Sequence, residues 1–125
     1  MQDYDYWFAT GNVARPNHEN PQTFFLNGEA MGKMEGFSAQ IVADQFVAWM
    51  CEHRQKDRPF FITLWFHEPH GHINSDLRCV QQYEALNDPS LRQYLANITQ
   101  LDEAVGSIVN ASKEAGIYKG RRLAR

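Results

Sequence analysis

From Phe60 to Phe66 the chain reads Phe-Phe-Ile-Thr-Leu-Trp-Phe, and it then turns abruptly polar at His67-Glu68-Pro69-His70-Gly71-His72. An apolar run of this length, set between Pro59 and Pro69, suits a strand over Phe60–His67 better than a helix. Because polar alternation is missing, the run is predicted to be buried on both faces, as strands of a parallel sheet covered by helices are. Elsewhere the pattern changes period. Val42, Phe46, Trp49 and Met50 recur at helical spacing and predict a helix from Ser38, as N-cap, to about Gln55. His53, Arg54 and Lys56 fall in or just beyond its last turn, where positive charge complements the helix dipole. Leu91, Leu95, Ile98, Leu101, Val105, Ile108 and Val109 form one stripe of a second helix. It opens at Asp88-Pro89 and stops at Gly116.

The remaining segments are less regular. Tyr4 to Thr10 is aromatic-rich and ends at Gly11-Asn12, which predicts a short strand and a turn. Gly11 to Gly36 has no sustained periodicity and is expected to be a long functional loop. Gly71 to Asn87 is a connector with room for a helical turn around Leu77 to Leu86. Gly106 lies inside the second helix at a cost of about 1 kcal/mol relative to alanine, which close packing against a neighbour would offset. The order β, loop, α, β, connector, α predicts an α/β fold, a partial parallel-sheet sandwich. Two strands do not make a stable sheet, so the pattern is that of the middle of something larger.

Composition narrows the function classes. The 125 residues are 43% hydrophobic and 22% charged with a formal net charge of −3, which is ordinary for a soluble globular domain. That charge gives no reason to expect a nucleic acid or an anionic membrane as partner. Four positive charges in Lys119 to Arg125 set residues 119–125 apart as a basic, frayed tail on a domain of residues 1–118. Cys51 and Cys79 are too few and too scattered for a disulfide framework or a zinc site, and Cys51 is expected to be half-buried on its helix. Met1 to Tyr6 lacks the basic and apolar regions of a signal peptide, and no apolar run approaches the roughly 20 residues of a membrane span. The chain by itself is expected to be soluble and untargeted.

The candidate chemistry lies at the carboxyl end of the apolar run, where ligands of open α/β sheets bind. His67, Glu68, His70 and His72 are the right residue types for a metal. The spacing does not fit H-E-x-x-H, because the second histidine comes three residues after the first and Pro69 intervenes. His67 still belongs to the strand pattern, and a structural role suits it best. His70 follows a proline at the strand end, where an imidazole could donate to an anion or give a proton to a leaving group. No G-x-S-x-G elbow, P-loop or G-x-G-x-x-G is present. Asn97-Ile98-Thr99 and Asn110-Ala111-Ser112 fit the glycosylation sequon, but both fall on a predicted helix.

Asp57-Arg58-Pro59-Phe60-Phe61, Glu68-Pro69-His70, Tyr94 and Leu101-Asp102-Glu103-Ala104-Val105-Gly106, taken in order, resemble the central part of a sulfatase of the alkaline phosphatase superfamily. Tyr4 to Asn12 and Gly28 to Trp49 are similar to the family's preceding elements. The resemblance implies hydrolysis of sulfate esters, on a carbohydrate or another sulfated small molecule. It gives His70 contact with the sulfate and the leaving oxygen, and it puts His67, Glu68 and His72 where substrate-binding residues sit. Asp102 and Gly106 take a packing role. The family also implies a formylglycine nucleophile and a calcium ion, but the Cys/Ser-x-Pro-x-Arg and Asp-Asn-Gly motifs that provide them do not occur here. The chain alone is therefore expected to lack sulfatase activity. Its parent would be periplasmic, secreted or lysosomal. Two alternatives stand beside this reading: a fragment of a related phosphoryl-transfer enzyme, and a non-catalytic remnant that binds or pairs, including with itself, through exposed sheet edges.

Overall fold

The computed structural model describes residues 4–118, and the basic segment 119–125 lies outside them. Its strands are β1 (Phe8–Ala9), β2 (Phe25–Leu26) and β3 (Glu29–Ala30); its helices are α1 (Ser38–Glu52), α2 (Leu77–Gln81) and α3 (Pro89–Glu114). The sheet has the order β1-β2-β3 and both pairings are antiparallel. β2 and β3 form a hairpin around Asn27-Gly28, whose φ values of 49° and 98° are the two positive angles a tight hairpin turn requires. The long loop thus contains two strands, and the Asn-Gly pair was the signal for them. The same loop folds back on itself: Asn20 donates to the Gly36 carbonyl at 2.7 Å, and Ser38 N–H donates to His18 O at 2.8 Å.

The parallel-sheet expectation is corrected on two counts. The three strands found are antiparallel, and Phe60–His67 joins no ladder among the described residues. Nor is this segment buried on both faces. Ile62, Leu64 and Phe66 are half-buried and Glu68 is buried, while Phe61, Thr63 and Trp65 are exposed. That alternation is the period-two signature of extended backbone with one face covered. A strand needs a neighbour to bond to, and none of the described residues runs alongside this one.

α1 begins one residue earlier than expected. Its N-cap is Phe37, which offers no side-chain cap, and Ser38 is the first helical residue. α3 begins as the sequence indicates, with the Asp88 carboxylate accepting from Ser90 N at 2.9 Å and Leu91 N at 3.1 Å, and with Gly116 just past its end at a φ of 68°. The buried face of α3 differs from the apolar stripe. It consists of Ala96, Asn97, Gln100, Ala104 and Ser112, whereas Leu91, Tyr94, Ile98 and Val105 are exposed.

Small residues explain this choice. Ala39 and Ala43 of α1 meet Ala104 of α3, with Leu101, Ile108 and Phe66 packed around them. Alanines let two helices approach closely, which bulky side chains would prevent. Gly106 takes no part in this contact: a Cβ placed there would meet nothing within 4 Å. A second cluster joins Ala14, Phe24 and Val42 to Phe8, Met34, Leu64 and Phe66. Phe66 belongs to both clusters and fixes the apolar run against the two halves of the core. Cys51 is exposed rather than half-buried, and Cys79 is buried.

Candidate active site

Phe66 delivers the polar cluster to the N-terminus of α1. Immediately after it, His70 N–H donates to the His67 carbonyl at 2.8 Å, closing a tight turn. Glu68, in this turn, points inward. Its Oε1 accepts from Ala39 N at 2.9 Å and from the Ser38 hydroxyl. Ala39 is the second residue of α1, so Glu68 satisfies the amide that an N-cap side chain normally serves. A carboxylate at a helix N-terminus also complements the helix dipole. Phe37 cannot perform this role, and a residue 31 positions further along the chain performs it instead.

Behind the turn lies a buried polar knot. His18 Nδ1 is 3.9 Å from Glu68 Oε1 and 3.2 Å from the side-chain amide of Asn97 on α3. His18 and Asn97 are fully buried. The loop, the turn, α1 and α3 therefore meet at three side chains. His18 Nε2, Glu68 Oε2, Asn97 Oδ1 and His67 Nδ1 are buried without a partner in the chain. An unpaired buried polar atom costs about 1–3 kcal/mol, so four in one region mark it off from ordinary core. Burial lowers the pKa of both His18 and His67 from the ordinary 6.5; Glu68 opposes the shift and neighbouring histidines add to it. His67 also sets its ring edge against Phe24, 5.6 Å between centroids.

The turn is tied down beyond His70 as well. Asn74 donates to Glu19 Oε2 at 2.6 Å, Ser75 to the Gln93 carbonyl at 3.1 Å, and Asp76 N–H to Gln100 Oε1 at 2.9 Å. Between these anchors His70 and His72 are exposed. The four residues singled out in the sequence thus divide into two pairs. His67 and Glu68 are held inside, and His70 and His72 face solvent. His18 and Asn97 joined the site unforeseen. His18 lies in a segment without periodicity, and Asn97 is a polar residue on the inner face of a helix. Among the described residues no three His, Cys, Asp or Glu side chains are grouped so as to hold a metal ion. No helix of the described residues is long and apolar enough to cross a membrane.

Residues 1–120 match the Sulfatase family, and the chain belongs to it. An endo-4-O-sulfatase from Bacteroides thetaiotaomicron is 24% identical over 139 aligned residues, which take in 93% of this chain and 27% of that protein. A solved B. thetaiotaomicron structure, described in terms of the metabolism of multiple glycosaminoglycans, aligns with a TM-score of 0.77. It is 21% identical, covering 91% of this chain and 28% of its own. Ps i-CgsB in complex with k-i-k-neocarrahexaose aligns with a TM-score of 0.70 at 20% identity, covering 76% of this chain and 21% of its own. These structures establish a shared mixed α/β fold. The chain spans about a quarter of the length of the relatives it matches.

Proposed function

We propose that this chain supplies one wall of the active site of a carbohydrate sulfatase, with His70 as the residue that meets the sulfate ester. The observation that carries the reading is the anchored turn. Membership of the Sulfatase family gives the reaction class, and an exposed His70 stands on a turn fixed by Glu68 to α1 and by Asn74 to the loop. A solvent-facing imidazole on a rigid support can donate to a sulfate oxygen, or protonate the departing sugar oxygen once the sulfur–oxygen bond breaks. General acid catalysis of this kind contributes about 10²–10⁴-fold. His72 would contact the sugar. His67 and Glu68 would hold the turn from behind.

The formylglycine and calcium of the family do not fit the residues of this chain. It has no Cys/Ser-x-Pro-x-Arg motif, and its described residues form no metal-holding group. No step is therefore assigned to either. Most of the barrier lowering in sulfate transfer comes from the nucleophile and from electrostatic stabilisation of developing charge. The purified 125-residue chain is accordingly expected to leave an aryl sulfate intact, and measurable turnover would overturn that division of labour.

The binding half of the reading is testable on the same material. Titration with a sulfated disaccharide, followed by histidine side-chain NMR, should move the ring signals of His70 and His72 and leave those of the buried His18 in place. His70→Asn should weaken the response severalfold. If the sulfated sugar moves no histidine signal, the reading fails.

A further inference from the structure

A cleft of about 430 Å³ opens beside the turn, lined by Arg15, Pro16, Gln22, Thr23 and His72. We propose that this cleft is a second anionic subsite, in which Arg15 receives an acidic oxygen group on the sugar next to the one bearing the sulfate ester. The proposal rests on the sulfatase reading, because His72 is the wall that the cleft shares with the His70 turn.

Arg15 carries the argument through both its backbone and its charge. Its carbonyl accepts from Gln22 N at 2.7 Å, and its amide donates to Thr23 Oγ1 at 3.2 Å. Thr23 Oγ1 in turn lies 3.3 Å from the Val13 carbonyl and 3.2 Å from the Thr10 hydroxyl. The two strips of loop that form the floor are thus laced together, and the arginine stands on a fixed base while its side chain is exposed. A rigid base with an available charged head is what a recognition site requires.

Some cations of the chain have partners, while Lys56, Arg58 and Arg92 are, like Arg15, in no ion pair among the described residues. Arg78 bonds Asp76 and Glu103, Lys33 pairs with Glu35, and Arg54 lies over the Phe60 ring. The simplest alternative is a solvated surface arginine, and what sets Arg15 apart from one is its surroundings. The cleft offers an amide from Gln22 and an imidazole from His72 beside the guanidinium, a set suited to oxygen-rich ligands. A guanidinium presents a planar fork that matches a carboxylate or a sulfate in two-point contact. His72 lines the cleft and follows His70 by two residues in the chain, the continuity on which the assignment to adjoining sugars rests.

The test uses the whole 125-residue chain and three sulfated disaccharides that differ only in the neighbouring sugar: a uronate, a second sulfate ester, or a neutral hydroxymethyl group. Affinities are followed by NMR titration. Wild type should bind at least one acidic probe about 10- to 100-fold more tightly than the neutral one, the range for a hydrogen-bonded charge. Arg15→Gln should erase that preference while leaving the neutral probe's affinity and the His70 shift unchanged, and Arg15→Lys should restore it in part. The two acidic arms tell a carboxylate from a sulfate. Arg58→Gln, which removes an equal charge elsewhere on the surface, should change nothing. Equal losses from Arg15→Gln and Arg58→Gln, or an unchanged preference in Arg15→Gln, would overturn the subsite while His70 still responds. If no sulfated probe shifts His70, the sulfatase-site reading fails first and the subsite falls with it.

Discussion

α3 and the segment before the turn depart from the usual distribution of side chains, while α1 keeps to it with Ile41, Val42, Phe46 and Met50 buried. α3 turns Ala96, Asn97, Gln100 and Ala104 inward and leaves Leu91, Tyr94, Ile98 and Val105 outside. The segment before the turn buries Glu68 and leaves Phe61 and Trp65 about four-fifths exposed. Soluble domains place apolar residues inside and polar residues outside. Here the inner face carries the polar knot that positions the His70 turn, and the outer face carries apolar surface with no partner among the described residues. Specificity of position and bulk burial are therefore separated in this chain, and each can be perturbed without the other.

The largest effect is expected at the knot. Glu68→Ala removes the acceptor for Ser38 and Ala39 and takes away the carboxylate 3.9 Å from His18. Buried groups left unpaired should lower stability by roughly 2–4 kcal/mol, measurable by urea denaturation. Glu68→Gln keeps an acceptor and should recover part of the loss. A loss below about 1 kcal/mol for Glu68→Ala would mean that the alanine contacts between α1 and α3 hold the helices unaided, and the contrast between the faces would collapse.

Acid should act on the same face. Burial holds His18 and His67 below their ordinary pKa of 6.5, so below pH 6.5 the unfolded chain binds protons that the folded chain refuses. Their contribution is complete above that pH and is lost as the pH falls, at up to about 1.4 kcal/mol per pH unit for each histidine. Denaturation midpoints should decline from pH 7 to pH 5, and less steeply in His18→Asn. A flat profile would show that both rings take up protons in the folded chain as readily as in the unfolded one.

How much of this was legible depends on which physics decided each feature. Asp88-Pro89 and Gly116 act through local backbone chemistry, and the sequence indicated both ends of α3 correctly. Asn27-Gly28 was equally local, yet it lay hidden in a segment that seemed structureless. The inner face of α3 was not legible. Its apolar stripe was plain, but close approach of two helices rewards alanine over leucine, and that depends on a partner helix that the period does not name. Glu68 shares its parity with Ile62, Leu64 and Phe66, but which face is covered was not legible, because Phe61 and Trp65 make the opposite face equally apolar. Nor was His18 legible, because its burial follows from the loop folding onto α1. Family membership was legible in the order of the motifs, and the matched residues confirm it.

Gly106 sharpens the comparison from the other side. Its missing Cβ has open space around it, so no packing offsets the weak helix propensity of glycine. Gly106→Ala should raise stability by about 1 kcal/mol. A loss in its place would reveal a close neighbour on the outer face.

The smallest effect on stability should come from the most conspicuous residues. Trp65 and Phe61, at 81% and 79% exposed, touch little of the core, so changing both to threonine should alter the denaturation free energy by no more than about 0.5 kcal/mol. Threonine keeps the extended backbone favourable while removing the apolar surface. Association should respond where stability does not. An uncovered segment with a free edge and large apolar side chains is a template for pairing with another chain. Sedimentation velocity should show wild type forming larger species as concentration rises, and the double variant should shift towards monomer at equal concentration. If the two chains sediment alike, the outer face is not what draws copies together. If the double variant unfolds, these aromatics belong to the core, and the division between faces is wrong where it looked clearest.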